Sequence, residues 1–333
     1  MGEGIYHPGK LNLIITSVCN SKCTYCLYEK KAQHIAYEDI KKIVNEAKSF
    51  NVQTVTITGG EPSLHPDFFR IIDYISEQGM SIGLITNGFN LDDQKMELLM
   101  RYPNVFPWFS LDSYDREVND MLRSKGTYDR VVNMINKIKE LDPNKQIGVI
   151  SIITDKNIGH YPKTIEFLFE TLKVDYARAD RATILNHSKL ERYSKEFNQK
   201  FIILSKDIKS KYADKFEPIM YSHSPHCPIF NPSCFEVTVF SDGSIIPCCF
   251  LHNSNLKIGT IKDDLKKILS TSRINNIKNT INSNFFKNFD KSLSKNGIFT
   301  CVECIEEFNN FKTGNVPINN SPINRFFTKF LSR

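Results

Sequence analysis

The sequence predicts an α/β fold: a partial (β/α)6, TIM-like barrel followed by a small C-terminal cysteine-rich domain. Short apolar segments alternate with helical patterns about six times over residues 10–185. The strand segments are almost continuously apolar, which is typical of parallel strands covered by helices. After residue 226 the alternation stops, and six of the nine cysteines follow.

Each strand is predicted from a short β-branched or aromatic run, and each helix from apolar residues at helical spacing. In chain order the strands are KLNLIITS, QTVTITGG, SIGLITNG, VFPWFSLDS, QIGVISIITD and VDYARAD. The helices between them are AYEDIKKIVNEAKSF, PDFFRIIDYISEQG, DDQKMELLMRY, TYDRVVNMINKIKEL and YPKTIEFLFETL. The order strand, loop, helix brings three polar loops to the carboxyl edge, where parallel α/β barrels have their active sites.

The pattern changes beyond this alternation. Residues 189–215 predict one long basic helix, and residues 235–247 predict a β-hairpin that turns at Asp242-Gly243. Residues 271–320 contain twelve Asn and predict a helix with irregular loops. We therefore expect a core domain over 1–188, a linking helix over 189–225, a cysteine-rich domain over 226–310 and a tail over 311–333.

The composition, 41% hydrophobic and 24% charged, is that of a soluble globular protein. No run of about 18 apolar residues predicts a membrane span. The start MGEGIYHPGKLNLIITS lacks the basic beginning and apolar core of a secretion signal, so we expect a cytoplasmic protein without membrane or nucleic-acid partners. From Lys257 onward, thirteen Lys/Arg stand against six Asp/Glu. This basic segment is either a solvated surface or a surface that steers an acidic electron-transfer protein.

Three cysteines, Cys19, Cys23 and Cys26, stand in the stretch TSVCNSKCTYCLY directly after the first predicted strand. In a reducing cytoplasm such a cluster indicates metal binding rather than disulfides. A closed zinc or iron–sulfur site takes four ligands, so three thiolates leave one metal position open to chemistry. The alternative is a fortuitous cluster or part of a zinc site.

The stretch CNSKCTYC, followed by TGGEP and then FSLDS, resembles the radical S-adenosylmethionine (radical SAM) superfamily over residues 10–185. The resemblance implies that Cys19, Cys23 and Cys26 hold a 4Fe–4S cluster whose open iron is chelated by SAM. It implies an enzyme that cleaves SAM by one electron to methionine and a 5′-deoxyadenosyl radical, which takes a hydrogen atom from the substrate. A flavodoxin- or ferredoxin-type electron donor is the protein partner that this chemistry implies.

The resemblance also assigns residues to SAM. Tyr25 stands where the family has an aromatic residue beside the adenine, and Gly59, Gly60 and Glu61 match the loop that meets the methionine amino group. Independently, glycines let backbone carbonyls approach a cation closely, and a carboxylate adds negative charge. Taken alone, the Gly-Gly-Glu-Pro stretch would also suit a plain strand-to-helix turn.

The resemblance also assigns roles to residues in and after the stretch FSLDS. Ser110 and Asp112 resemble the family's ribose-side strand end, and we favour Ser110. Arg123 stands where peptide-modifying relatives keep an arginine for the methionine carboxylate, which a guanidinium suits bidentately. The alternative for Arg123 is a surface arginine on a helix. We expect Asn87 to shape the turn at its strand end rather than to contact the cofactor.

The stretches DGSIIPCC and CVEC resemble the C-terminal cysteine-rich extensions called SPASM and its shortened form, twitch. No cysteine follows Cys304, so the resemblance implies the form with one auxiliary cluster. This second 4Fe–4S cluster would take Cys248, Cys301, Cys304 and either Cys227 or Cys234, of which we favour Cys227. A structural zinc site would use the same four thiolates.

Cys249 adjoins Cys248 and is left over from this ligand set. A thiol can donate a hydrogen atom to a carbon radical, and radical SAM epimerases that resemble this layout use one such cysteine. Cys249 is therefore our candidate catalytic residue, with a bystander role as the alternative.

The resulting prediction is epimerisation of a ribosomal peptide. The rival reactions are oxidative dehydrogenation and thioether or carbon cross-linking, and a sugar or aminoglycoside is the rival substrate. A non-catalytic iron–sulfur carrier or zinc-binding protein is the alternative of a different class. Only about ten residues precede the first predicted strand, so we expect no separate N-terminal peptide-recognition domain.

Overall fold

The computed structural model describes residues 8–26, 28, 31–182, 184–186, 189–191, 194–218, 236–246 and 257–270. The strands within those ranges are β1 (Lys10–Thr16), β2 (Thr54–Gly59), β3 (Ser81–Thr86), β4 (Val105–Ser110), β5 (Gly148–Ile153), β6 (Tyr176–Arg181), β7 (Ile184–Asn186), β8 (Lys189–Glu191), β9 (Phe216–Pro218), β10 (Glu236–Val239), β11 (Ser244–Ile246) and β12 (Gly259–Thr260). The α-helices are α1 (Tyr37–Ser49), α2 (Phe68–Glu77), α3 (Asp93–Met100), α4 (Arg116–Leu122), α5 (Thr127–Leu141), α6 (Tyr161–Glu166), α7 (Lys195–Tyr212) and α8 (Leu265–Ile268).

The first six strands lie side by side in chain order, and each pair is parallel. Strand β9 adds in parallel to β6 at one edge. At the other edge β10 adds in parallel to β1 and continues into antiparallel β11 and β12. Six consecutive parallel strands joined by helices confirm the predicted partial (β/α)6 barrel.

The hydrophobic core lies between the sheet and its helices. On β1, Leu11, Leu13 and Ile15 are buried in this core, and on β5 the same holds for Val149 and Ile153. Successive residues of a strand point to opposite sides, so these side chains mark the face that the helices cover. Each fully buried side chain of this kind contributes about 1.5–3 kcal/mol, which makes the helix-covered face the main source of stability.

The opposite face lines the inside of the barrel and is less completely buried. On β5, Ile150 and Ile152 keep partial exposure between their fully buried neighbours. Trp108 of β4 lies on the same side but is only 1% exposed. Its ring covers Gly148, where a Cβ atom would lie 2.3 Å from Trp108 Cε3. A glycine at 148 is therefore what makes room for the indole.

The predicted hairpin is confirmed, with β10 and β11 joined through Asp242-Gly243. Gly243 has a φ of 78°, in the left-handed region that favours glycine. Asp242 Oδ1 accepts a hydrogen bond from Ser244 N at 2.8 Å. Across the β1–β10 seam, Asn12 Nδ2 donates to Glu236 Oε2 at 2.7 Å, so the hairpin is tied to the core by a side-chain contact.

Among the differences from the sequence prediction are the unpredicted short elements β9, β12 and α8, and two further differences have a local cause. Helix α4 was not predicted, because seven residues are too few to show a helical period; its N-cap, Asp115, accepts a hydrogen bond from Val118 N at 3.0 Å. The long helix predicted over 189–215 begins only at Lys195, because Ser194 caps it and the β7–β8 pair precedes it.

Residues 271–320 lie outside the described residues, and the predicted domain boundaries stay predictions. Within the part of the chain that the structure describes, no helix is both long and apolar enough to cross a bilayer.

The Trp108–Gly148 contact predicts that Gly148→Ala lowers the free energy of unfolding by about 1–3 kcal/mol, because the added methyl group overpacks the barrel interior. Urea denaturation measures this change. Gly159→Ala is the matched control, since a Cβ there meets nothing within 4 Å. Equal effects of the two substitutions would contradict the tight packing at Gly148.

Candidate active site at the carboxyl ends of the strands

The loop after β1 carries Cys19, Cys23 and Cys26 as thiols that form no disulfide. Cys19 and Cys23 are half-buried and Cys26 is exposed. Burial raises the pKa of the Cys23 thiol, and the nearby Arg123 guanidinium lowers it in part. The loop thus presents three sulfur donors at the carboxyl edge of the sheet.

Helix α4 anchors one side of this cysteine loop. Lys22 N donates to Ser124 Oγ at 2.8 Å, and Thr24 N donates to Leu122 O at 2.9 Å. Leu122 is the last residue of α4, and Ser124 follows it by two residues. The short helix that the sequence analysis missed therefore supports the predicted ligand loop.

The Gly59-Gly60 turn packs against residues 16–18, the segment that leads from β1 into the cysteine loop. Gly60 N donates to Thr16 O at 2.8 Å, and Glu61 N donates to Val18 O at 2.8 Å. A Cβ on Gly59 would lie 2.4 Å from Thr16 O, and one on Gly60 would lie 2.2 Å from Val18 O. Both glycines are therefore required by backbone contact with the cysteine loop, whatever ligand they also meet.

Glu61 is fully buried, and donors surround its carboxylate. Oε1 accepts hydrogen bonds from Ser63 N at 3.1 Å, Ser63 Oγ at 2.6 Å and Thr86 Oγ1 at 2.7 Å, while Oε2 accepts one from Asn87 N at 2.8 Å. Burial raises the pKa of this carboxyl, and the hydrogen bonds oppose that rise. Glu61 thereby joins the ends of β2 and β3, and its contact with a methionine amino group stays a prediction.

Asn87 shapes its strand-end turn, as expected, because its Oδ1 accepts a hydrogen bond from Phe89 N at 2.8 Å. It also braces the cysteine loop, which the sequence analysis did not anticipate. Its Nδ2 donates to Asn20 Oδ1 at 2.9 Å and to Ser21 Oγ at 3.2 Å, and lies 3.9 Å from Cys19 Sγ.

Asp112, directly after β4, is the centre of a buried polar network. Arg123 Nε lies 2.7 Å from Asp112 Oδ2 as an ion pair without hydrogen-bond alignment, and Arg123 Nη2 donates to Oδ1 at 3.2 Å. The Tyr25 hydroxyl donates to Oδ2, and Ile152 N donates to Oδ1 at 2.8 Å. The Arg123 guanidinium also lies 5.8 Å from the centre of the Tyr25 ring.

This network fixes the protonation of its members. Burial, with Asp112, raises the pKa of Tyr25 well above its usual value although Arg123 lowers it, so the phenol stays a donor. Burial lowers the pKa of Arg123, but Asp112 and Tyr25 outweigh that effect and raise it. Arg123 is only 7% exposed, so the alternative of a surface arginine is wrong. Its contact with a methionine carboxylate stays a prediction.

Two buried amides hold the backbone of Asp112. Asn119 Oδ1 accepts from Asp112 N at 2.9 Å, and Asn157 Nδ2 donates to Asp112 O at 2.8 Å. Neither asparagine is predictable as a partner of Asp112, because nothing in the local sequence pattern relates them to residue 112. Ser110, which the family resemblance favours over Asp112 as the cofactor contact, lies half-buried on the interior face at the end of β4, and this contact stays a prediction.

The remaining predicted site residues lie outside the described residues. They are Cys227, Cys234, Cys248, Cys249, Cys301 and Cys304. Among the residues that the structure does describe, no three His, Cys, Asp or Glu side chains converge on one metal-binding point. The three thiols thus lie on one loop, but their sulfur atoms do not surround a common metal position.

A partial parallel barrel with three thiols on the loop after its first strand defines a class of α/β proteins with a three-cysteine loop at the barrel rim. Residues 13–168 match the radical SAM superfamily. Residues 227–305 match the SPASM family, an iron–sulfur cluster-binding domain. The chain therefore contains a radical SAM domain followed by a SPASM domain, as the sequence predicted.

Two curated relatives are named for different activities, one as a maturase and the other as a cyclase. The mycofactocin maturase MftC of Mycolicibacterium smegmatis is 27% identical over 190 residues, which cover 56% of this chain and 47% of the maturase. The chain thus spans about half the length of that relative. The GTP 3′,8-cyclase of Campylobacter jejuni is 25% identical over 288 residues, which cover 77% of this chain and 85% of the cyclase.

Among solved structures, SuiB of Streptococcus suis bound to S-adenosylmethionine superposes with a TM-score of 0.69 at 17% identity. The superposition covers 85% of this chain and 70% of SuiB. At this identity the likeness shows the fold, and it agrees with the partial barrel described above.

The radical SAM domain implies a 4Fe–4S cluster with SAM, and the SPASM domain implies additional iron–sulfur clusters. The residues of the cysteine loop fit the 4Fe–4S cluster that binds SAM. Thiolates are the usual ligands of such clusters, and three thiols lie on this one loop. The described residues hold no part of the predicted auxiliary ligand set, so the one-cluster form stays a prediction.

The Asp112–Arg123 pair predicts that Asp112→Asn lowers the free energy of unfolding of the cofactor-free protein by about 3–5 kcal/mol, because it leaves a buried guanidinium without its counterion. Hydrogen exchange within residues 19–26 should rise at the same time, since Tyr25 loses a charged acceptor. Urea denaturation and exchange mass spectrometry measure the two effects.

The matched control is Asp129→Asn, which breaks the exposed Arg116–Asp129 pair at 2.8 Å. Exposed pairs contribute about 1 kcal/mol or less, so this substitution should change stability little. Equal losses in the two variants would contradict the anchoring role of Asp112.

Proposed function

We propose that this protein is a radical SAM enzyme that modifies a peptide by taking a hydrogen atom from it. The observation that carries the proposal is the common rim. There the chain entering the cysteine loop after β1 contacts the Gly59-Gly60 turn after β2, and Tyr25 of the loop contacts the Asp112–Arg123 pair after β4. Below this rim the barrel interior keeps partly exposed side chains. A substrate bound there would lie next to the cofactor.

The residues near the rim would share the work of holding the cofactor. Cys19, Cys23 and Cys26 would bind the catalytic cluster, which with SAM supplies a 5′-deoxyadenosyl radical. Tyr25 would face the adenine, and the Asp112 hydrogen bond limits where its ring can lie. The other proposed SAM contacts are Gly59, Gly60 and Glu61 for the amino group, Ser110 for the ribose and Arg123 for the carboxylate.

A peptide is the substrate class that the relatives favour. One of them is a mycofactocin maturase, and a SuiB structure with this fold is bound to the precursor peptide SuiA. A small molecule is the second candidate, because the match to the GTP cyclase covers 85% of that enzyme. We infer a flavodoxin- or ferredoxin-type electron donor, since SAM cleavage consumes one electron.

Epimerisation is the reaction we favour, with Cys249 as hydrogen-atom donor. The thiyl radical left on Cys249 would return to the thiol by taking one electron, supplied by the electron donor through the auxiliary cluster, and one proton from solvent. Dehydrogenation and thioether or carbon cross-linking are the rival reactions, in which the auxiliary cluster would accept an electron or bind substrate. A carrier without catalysis would have no need for a SAM site, and it would form no 5′-deoxyadenosine.

The cluster assignment predicts that replacing Cys19, Cys23 and Cys26 by alanine abolishes 5′-deoxyadenosine formation after anaerobic reconstitution with SAM and reductant. Two 4Fe–4S clusters hold about eight irons per chain, so the triple variant should keep about four. Chromatography of the nucleoside and iron analysis give the two readouts. Zinc at the second site, with about four irons in the wild type, would contradict the auxiliary cluster.

The donor assignment predicts that Cys249→Ala still forms 5′-deoxyadenosine in the presence of substrate but makes no inverted product. In heavy water the wild type should place one deuterium at the inverted carbon. Cys234→Ala removes the other cysteine that is left over when Cys227 is the fourth auxiliary ligand, and it is the control that should retain inversion. Loss of about four irons in this variant would instead identify Cys234 as that ligand. A product two mass units lighter than the substrate, formed equally by Cys249→Ala, would move the enzyme to the dehydrogenation or cross-linking class.

A further inference from the structure

Arg178 lies on the interior face of the barrel. Its neighbours on β6, Ala177 and Ala179, are fully buried in the core beneath the helices. Because successive residues of a strand point to opposite sides, the Arg178 side chain points away from the helices. It keeps partial exposure, unlike the two alanines. The guanidinium therefore belongs to the space that the strands enclose.

The strand register places Arg178 level with Ser110, the residue that we expect to contact the ribose of SAM. Arg178 pairs with Ile150 on β5, and Ile150 pairs with Ser110 on β4. Paired residues of parallel strands share one face, so the three side chains form a row across the interior. Adjacent strands lie about 4.8 Å apart, which puts the Arg178 and Ser110 backbones about 10 Å from each other.

The next row toward the amino ends of the strands carries two aromatic side chains. It runs from Trp108 through Gly148 to Tyr176. The indole of Trp108 is 1% exposed and covers Gly148. Arg178 and Ser110 thus lie two residues closer to the carboxyl ends of their strands than Tyr176 and Trp108 do. The carboxyl ends form the edge that carries the cysteine loop.

Arg178 has no counterion among the residues that the structure describes. It makes no ion pair or hydrogen bond with them, and its buried Nε lacks an acceptor. The acidic residue paired with it on β9, Glu217, instead contacts Lys209 Nζ at 3.0 Å. Arg123, by contrast, has Asp112 as its counterion, although its Nε is not aligned for a hydrogen bond. A guanidinium stays charged and carries five hydrogen-bond donors. A partly buried guanidinium without a counterion is therefore stabilised by binding an anion.

We propose that Arg178 binds a carboxylate of the substrate inside the barrel. The planar guanidinium fork matches a carboxylate with two parallel hydrogen bonds, which gives orientation as well as affinity. The inference rests on the proposed function and adds that the peptide presents an acidic side chain or its C-terminal carboxylate there. The rival occupant is the methionine carboxylate of SAM.

Affinity selection tests the preference for a carboxylate. Two pools of random synthetic peptides, one with free C-termini and one with C-terminal amides, are incubated with the reconstituted holoprotein, and retained peptides are sequenced by mass spectrometry. Enrichment of Asp and Glu in both pools supports recognition of a side chain. Retention of the free-acid pool alone supports recognition of the C-terminus.

A retained peptide and its neutral isostere, in which the acid is an amide, then give affinities by fluorescence anisotropy. Wild type should bind the acid at least about tenfold more tightly, as expected for a charge-assisted contact. Arg178→Gln should remove this preference, and Arg178→Lys should retain part of it. Arg116→Gln, at a side chain that is 64% exposed, is the control and should bind as wild type does.

The outcomes separate this inference from the proposed function. If no peptide is retained, the peptide assignment fails and this inference fails with it. If peptides are retained without acid preference in wild type, only the role of Arg178 is overturned, and this result does not depend on the folding of any variant. If Arg178→Gln keeps the acid preference but weakens SAM binding by calorimetry, the guanidinium serves the cofactor and the proposal is wrong.

Discussion

Two carboxylates buried away from water, Glu61 and Asp112, determine how the carboxyl edge of this sheet is built. A buried carboxylate is stable only when donors match its oxygens. Glu61 obtains its donors from its own turn and from the end of β3. Asp112 obtains its donors from Tyr25 in the cysteine loop, Arg123 at the end of α4 and Ile152 on β5. Because these groups are far apart in sequence, satisfying two carboxylates fixes the relative positions of most of the rim.

The cysteine loop is consequently supported on both sides by the protein itself. Asn87 contacts it from the end of β3, and the end of α4 accepts hydrogen bonds from Lys22 and Thr24. The two glycines of the neighbouring turn are explained by the same support, since any side chain there would strike the backbone of Thr16 or Val18. A loop held in this way loses less conformational entropy when it binds a ligand, which is the physical advantage of preorganisation.

The fold was predictable because its signals are local. Apolar runs marked the six parallel strands, and Asp242-Gly243 marked the hairpin turn. The contacts that organise the site are not local: Tyr25 reaches Asp112 across 87 positions, and Asn12 reaches Glu236 across 224. No periodicity or turn rule specifies such pairings. The sequence therefore indicated which residue types stand at the rim, but not that Arg123 is paired with Asp112 or that Asn87 braces the loop.

The two faces of the sheet have different physical tasks. The face under the helices supplies the apolar burial that stabilises the domain, as Leu11, Leu13 and Ile15 do on β1. The inner face can therefore keep partly exposed side chains such as Ile150 and Arg178 without loss of the fold. Groups left incompletely satisfied in a concave interior gain most from a ligand that complements them. The alternation of each strand thus separates stability from recognition within the same few residues.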